Sequence, residues 1–111
     1  MTIYKILPKA SWDAAMTTGS FAGSPIDLAD GFIHFSTAAQ VHETAVKHFT
    51  GVPDLVLVAV DAEALGESIA WEPSRGGALF PHLYGVLAVT FARWVKPLPL
   101  DAAGTPVVPE L

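Results

Sequence analysis

Leu55-Val56-Leu57-Val58-Ala59-Val60 carries apolar side chains at odd and even positions alike. Successive strand residues point to opposite faces, so a strand built from this run needs cover on both. The run is far shorter than the ~20 residues of a membrane-spanning helix, and its valines favour extended backbone. It is therefore expected as the central strand of a folded core. Gly51 and Pro53 close a helical pattern before it. Asp61 to Leu65 after it reads as a short helical turn ended by Gly66.

Upstream, Thr37-Ala38-Ala39-Gln40 has the form of a capping box opening a helix that runs to Phe49. On that helix Ala38, Val41, Ala45, Val46 and Phe49 share one arc, with His42 inside it. Gln40, Glu43, Thr44 and Lys47 share the other arc, Glu43 and Lys47 as an i,i+4 ion pair. Before the helix, Phe32-Ile33-His34-Phe35-Ser36 reads as a strand released by Gly31, and Ile26 to Asp30 as one helical turn. Ile3 to Leu7 forms a first strand; Ser11 then caps a helix from Trp12 to Thr18 that Gly19 ends. Downstream, Ser68 to Trp71 is a strand and Glu72 to Leu79 a loop marked by Pro73 and Gly76-Gly77. Leu83 to Val95 gives one or two further strands interrupted near Gly85. Early helices among dispersed short strands point to an α+β domain.

The 111 residues suit one domain, 1–111, with a core over about 2–96 and a Pro-rich extended tail over 97–111. Net charge is −5, and only 15% of residues are charged. Six scattered basic residues against eleven acidic ones exclude the electrostatic footprint of a nucleic-acid binder. No apolar segment suits a membrane span or a signal region, so a cytoplasmic protein with no membrane partner is expected. The absence of cysteine removes disulfides, thiolate metal sites and a cysteine nucleophile.

Two stretches concentrate the polar chemistry. Period-two alternation puts Phe32, His34 and Ser36 on one strand face, just ahead of Thr37 and a helix start. The second stretch, Trp71-Glu72-Pro73-Ser74-Arg75-Gly76-Gly77, leads into Phe80-Pro81-His82-Leu83-Tyr84-Gly85. His82 and Tyr84 alternate through an apolar segment where packing alone would favour Val or Leu. His42 and His48 lie six residues apart, about 120° around a helix, which argues against a helical metal site; no metal is expected.

Gly31-Phe32-Ile33-His34-Phe35-Ser36-Thr37, Gln40-Val41 and Phe80-Pro81-His82-Leu83-Tyr84-Gly85 occur together with Ile3-Tyr4-Lys5-Ile6, Trp12 and Trp71-Glu72. In that order they resemble the small bacterial family called domain of unknown function 952. The resemblance implies a split mixed or antiparallel sheet with short helices, similar to ADP-ribosyltransferase domains, and NAD as a ligand by analogy. It places Phe35-Ser36-Thr37 near the serine-threonine strand of a transferase cleft and makes Glu72 the candidate catalytic acid. Ala70 departs from the toxin-type pattern, which carries an acid or amide two positions before that glutamate.

The expected site joins His34, Glu72 and His82 as catalytic groups to Ser36, Thr37, Arg75 and Tyr84 as ligand-binding groups. His34 or His82 would move protons, Glu72 would orient or stabilise positive charge, and Thr37 with Arg75 would hold a small anionic or nucleotide-like ligand. The same residues would equally serve a non-catalytic module as a structural polar network. A mean hydropathy of +0.44, with Phe91, Trp94, Leu98, Leu100, Val107 and Val108 near the end, exceeds what one small core needs. The tail is expected to pack across the sheet or against a second copy as a homodimer. Light scattering after size exclusion should then return twice the chain mass; a monomer at micromolar concentration would contradict the dimer.

Overall fold

The computed structural model describes residues 1–111, apart from the side chain of Arg75. The first half of the chain carries β1 (Thr2–Pro8), α1 (Lys9–Thr18), β2 (Ser20–Phe21), α2 (Pro25–Asp30), β3 (Ile33–His34), β4 (Ser36–Thr37) and α3 (Val41–Phe49). The second half carries β5 (Leu55–Asp61), α4 (Ala62–Leu65), β6 (Ile69–Ser74), β7 (Ala78–Leu83), β8 (Leu87–Ala88) and β9 (Ala92–Leu98).

β5 sits inside a four-stranded antiparallel sheet of order β4-β1-β5-β9, as its two-sided apolar pattern requires. Leu57, Val58, Ala59 and Val60 have no exposed surface. Alternation divides the core in two. Val56, Val58 and Val60 pack on one face with Ile3, Leu7, Trp12, Phe21, Ile33 and Leu83. Leu55, Leu57 and Ala59 pack on the other with Tyr4, Ile6, Val41, Ala45 and Leu98. A three-stranded sheet, β3-β7-β6, and the pair β2-β8 complete the architecture, and every strand pairing among the described residues is antiparallel rather than mixed.

Several expectations change. The strand over Phe32–Ser36 is shared between two sheets: β3 joins β7, and β4 joins β1. At the switch the Phe35 N–H donates to the Pro81 carbonyl at 3.0 Å. The span from Glu72 to Leu79 is largely a hairpin, because β6 is an edge strand that tolerates Pro73 and Gly76-Gly77 supply its positive-φ turn. α3 begins at Val41; Thr37 N–H reaches the Gln40 side chain at 3.0 Å, while the Gln40 N–H meets the Thr37 carbonyl rather than its hydroxyl. The buried stripe of α3 is Val41 and Ala45, flanked by half-buried Thr44 and Phe49, so His42 and Val46 face solvent. Likewise α1 starts at Lys9 after Pro8, leaving Ser11 inside the helix.

The tail folds back on its own domain. Leu100 bridges to Pro106, Gly51 donates to the Gly104 carbonyl at 2.8 Å, and Val108 packs beside the Tyr4–Leu57 core. Among the described residues no helix is long and apolar enough to cross a membrane. Leu57→Ala should cost about 2–5 kcal/mol, because its close-packed neighbours Tyr4, Ile6, Val41 and Leu98 cannot fully close the void. Urea unfolding should show this as a lower midpoint with an unchanged slope.

Candidate functional site

Lys5 occupies a core-facing position of β1 between Ile3 and Leu7, and its side chain is 7% exposed. A charge there requires a counter-charge, which Asp27 of α2 supplies, itself 1% exposed. Lys5 Nζ lies 3.0 Å from Asp27 Oδ1 and 2.9 Å from Oδ2. Asp27 also accepts the Ser24 N–H at 2.7 Å, the His34 N–H at 3.1 Å and the His34 ring Nδ1 at 2.6 Å. Burial alone would raise the Asp27 pKa; the Lys5 charge and the hydrogen bonds from His34, Lys5 and Ser24 outweigh it and hold the carboxyl below its usual range. Burial depresses the Lys5 ammonium, and Asp27 restores only part of that loss.

Antiparallel register sets His34 of β3 directly opposite His82 of β7, with ring centroids 5.4 Å apart. Phe32 stacks on His82 at 4.0 Å. The two imidazoles are held differently. His34 presents Nδ1 to Asp27 and Nε2 to Asp30 at 3.0 Å, so both nitrogens face carboxylates. His82 presents Nδ1 to Glu72 Oε1 at 2.7 Å, and the Tyr84 hydroxyl donates to that same oxygen at 2.8 Å. Hydrogen bonds from His82 and Tyr84 lower the Glu72 pKa, and the bond to Glu72 raises that of Tyr84.

A carboxylate only accepts, so Glu72 holds the proton of a neutral His82 ring on Nδ1 and leaves Nε2 a bare acceptor. That Nε2 is buried and has no hydrogen-bond partner among the described residues. His82 lines a cavity of about 470 Å³, within the range of small-ligand sites. Lys5, His34, Ser36, Thr44 and His48 share the lining, Tyr4, Phe35, Phe49 and Phe80 add apolar wall, and none of the residues named along it is Asp or Glu. Ser36 Oγ and Thr44 Oγ1 face each other at 3.1 Å.

Of the residues singled out in the sequence, His34, Ser36 and His82 meet on this cavity. Glu72 stands behind His82 and Tyr84 behind Glu72, 48% exposed, so neither lines the space. Thr37 is absent from the lining, pairs with Ile3 and gives its N–H to Gln40. The Arg75 side chain lies outside the described residues. Lys5 and Asp27 were missed; the available signal was a lysine at core parity within Ile3-Tyr4-Lys5-Ile6-Leu7.

A family described as Protein of unknown function (DUF952) matches residues 6–95. The crystal structure of protein CC0527 from Caulobacter crescentus is similar at 56% identity, with 96% of this chain and 94% of that chain covered and a TM-score of 0.93. The solution NMR structure of CC0527 gives 57% identity, coverage of 95% and 90%, and a TM-score of 0.86. No curated protein matches the chain.

Asp27→Asn removes the counter-charge of a buried lysine and should cost about 3–5 kcal/mol at neutral pH, read by denaturant unfolding. Because the folded-state pKa of Asp27 is lowered, its contribution is complete above the unfolded carboxyl value. It is lost as pH falls through the folded value, so acid should narrow the gap between wild type and Asp27→Asn.

Proposed function

The chain belongs to the DUF952 family, and we propose that its cavity binds a small anionic or nucleotide-like molecule, with His82 as the proton-accepting group in the wall. The observation that carries this role is the buried Nε2 of His82, which has no partner among the described residues and lies on a cavity of ligand size. Leaving a buried acceptor unsatisfied costs about 1–3 kcal/mol, a cost relieved when a ligand hydroxyl or N–H occupies the cavity. With Nδ1 held by Glu72, Nε2 can take a proton from a bound hydroxyl or water as a general base, an effect worth ~10²–10⁴ in rate.

Transferase chemistry of the ADP-ribosyl type, with NAD or ADP-ribose bound, belongs to the same proposal, and the division into separate antiparallel sheets with short helices supports it. Glu72 would then act through His82, since its shared oxygen is committed to His82 and Tyr84. His34 fits a structural role better than a proton-transfer role, because Asp27 and Asp30 occupy both its nitrogens.

Thermal-shift titration with NAD, ADP-ribose and mononucleotides tests this proposal. A ligand at 100 times its Kd should stabilise by about 2.7 kcal/mol, a rise of roughly 10 °C for a domain of this size. His82→Ala should abolish that rise while keeping the fold, and a flat response across the panel would defeat the proposal. Independently, ¹⁵N NMR should find the neutral His82 ring as the Nδ1–H tautomer. Glu72→Gln, which replaces the carboxylate by an amide able to donate or accept, should mix the tautomers. An Nε2–H ring in the wild type would remove the acceptor from the cavity.

A further inference from the structure

We propose that the Lys5 end of the cavity is an oxyanion subsite, so that the ligand carries a phosphate or carboxylate beside the hydroxyl or N–H that reaches His82. This rests on the ligand-binding role proposed above and adds the chemistry of the ligand's other end.

An ammonium has three N–H donors, and Lys5 makes one hydrogen bond, to Asp27 Oδ1 at 3.0 Å, with Oδ2 2.9 Å away in the ion pair. Its remaining N–H groups meet no other partner among the described residues, although the side chain is 93% buried and lines the cavity. Nor does Lys5 own the Asp27 charge. That carboxylate also takes the Ser24 N–H, the His34 N–H and the His34 ring. Burial accordingly depresses the Lys5 ammonium even with a carboxylate in contact, as expected of a cation short of counter-charge.

The rest of the lining suits an anion at this end. Ser36 and Thr44 place two hydroxyls there, either able to donate across their 3.1 Å contact. No carboxylate is named on the lining to repel an anion, although the chain holds eleven. His34 joins the two ends: its ring contacts Asp27 behind Lys5 at 2.6 Å and lies 5.4 Å from the His82 ring. Donors at Lys5 and an acceptor at His82 thus bracket a space walled by Tyr4, Phe35, Phe49 and Phe80. A ring bearing an acidic group and a hydroxyl answers all three features.

Calorimetry on the full chain with AMP, 4-hydroxybenzoate and adenosine tests the subsite, while ¹⁵N NMR follows the His82 ring. AMP supplies a phosphate, 4-hydroxybenzoate a carboxylate, and adenosine neither. The acid preferred by the site should bind at least about 10-fold more tightly than adenosine, the scale of an added charge-assisted hydrogen bond. Ser36→Ala should narrow that difference severalfold. Lys5→Met should abolish it, but this variant strands Asp27 in the core, so Ser36→Ala carries the comparison if Lys5→Met does not fold. Adenosine binding as tightly as both acids, with the His82 ring responding, would overturn the subsite and leave the role of His82 intact. A ring that responds to none of the three would overturn both.

Discussion

A lysine in the middle of a core strand is the constraint around which this domain is arranged. Lys5 points to the same side of β1 as Ile3 and Leu7, where an uncompensated charge would cost several kcal/mol. Asp27 offsets part of that cost, only by being almost fully buried itself, and its own desolvation must be met by further donors. The Ser24 N–H, the His34 N–H and the His34 ring provide them. One carboxylate thereby fastens the start of α2 to β1 and β3. It also fixes His34, and cross-strand register with β7 then sets His82 beside it. The site's geometry follows from meeting a buried charge.

The contrast between the two histidines follows from this arrangement. They stand opposite each other on β3 and β7, and both lie on the cavity. His34 is spent on carboxylates at both nitrogens, whereas His82 is anchored through Nδ1 and leaves Nε2 bare. A symmetrical pair would leave the roles undecided. The asymmetry leaves one ring held at both nitrogens and the other with an acceptor facing the cavity. Glu72 matters for the same reason: its hydrogen bond to Nδ1 determines which nitrogen of His82 can receive a proton.

Much of the fold was legible because it is driven by burial. The two-sided apolar run of β5, the strand at Ile3–Leu7, the turns ended by Gly19, Gly31 and Gly66, and the α+β class all follow from local pattern. What escaped detection was non-local. The hairpin of β6 and β7 looked like a loop because Pro73 and paired glycines are breakers, yet an edge strand and a turn accommodate them. The rotation of α3, which exposes His42 and lets Thr44 meet Ser36, depends on the sheet face beneath it and not on its own periodicity. His34, Ser36 and His82 could be singled out because polar side chains interrupt apolar strands. Thr37 lies off the cavity, its N–H held by the Gln40 side chain as its capping-box pattern implied. The Lys5–Asp27 pair joins positions 22 residues apart, beyond any local signal.

The sparse charge of this chain has a spatial order. The cavity gathers three of the four histidines and Lys5 but none of the eleven acids on its named lining. Acids stand one layer behind instead: Asp27 behind Lys5, Asp27 and Asp30 on His34, and Glu72 behind His82. Each acid orients or stabilises a base without presenting its own charge to the space in front. Such layering keeps negative charge away from a prospective anionic ligand while preserving the counter-charge that lets basic groups be buried at all. The proposed ligand-binding role accounts for bases that face inward onto an open cavity. Burying those bases against one another's carboxylates, without a void, would satisfy the same hydrogen bonds and pack better.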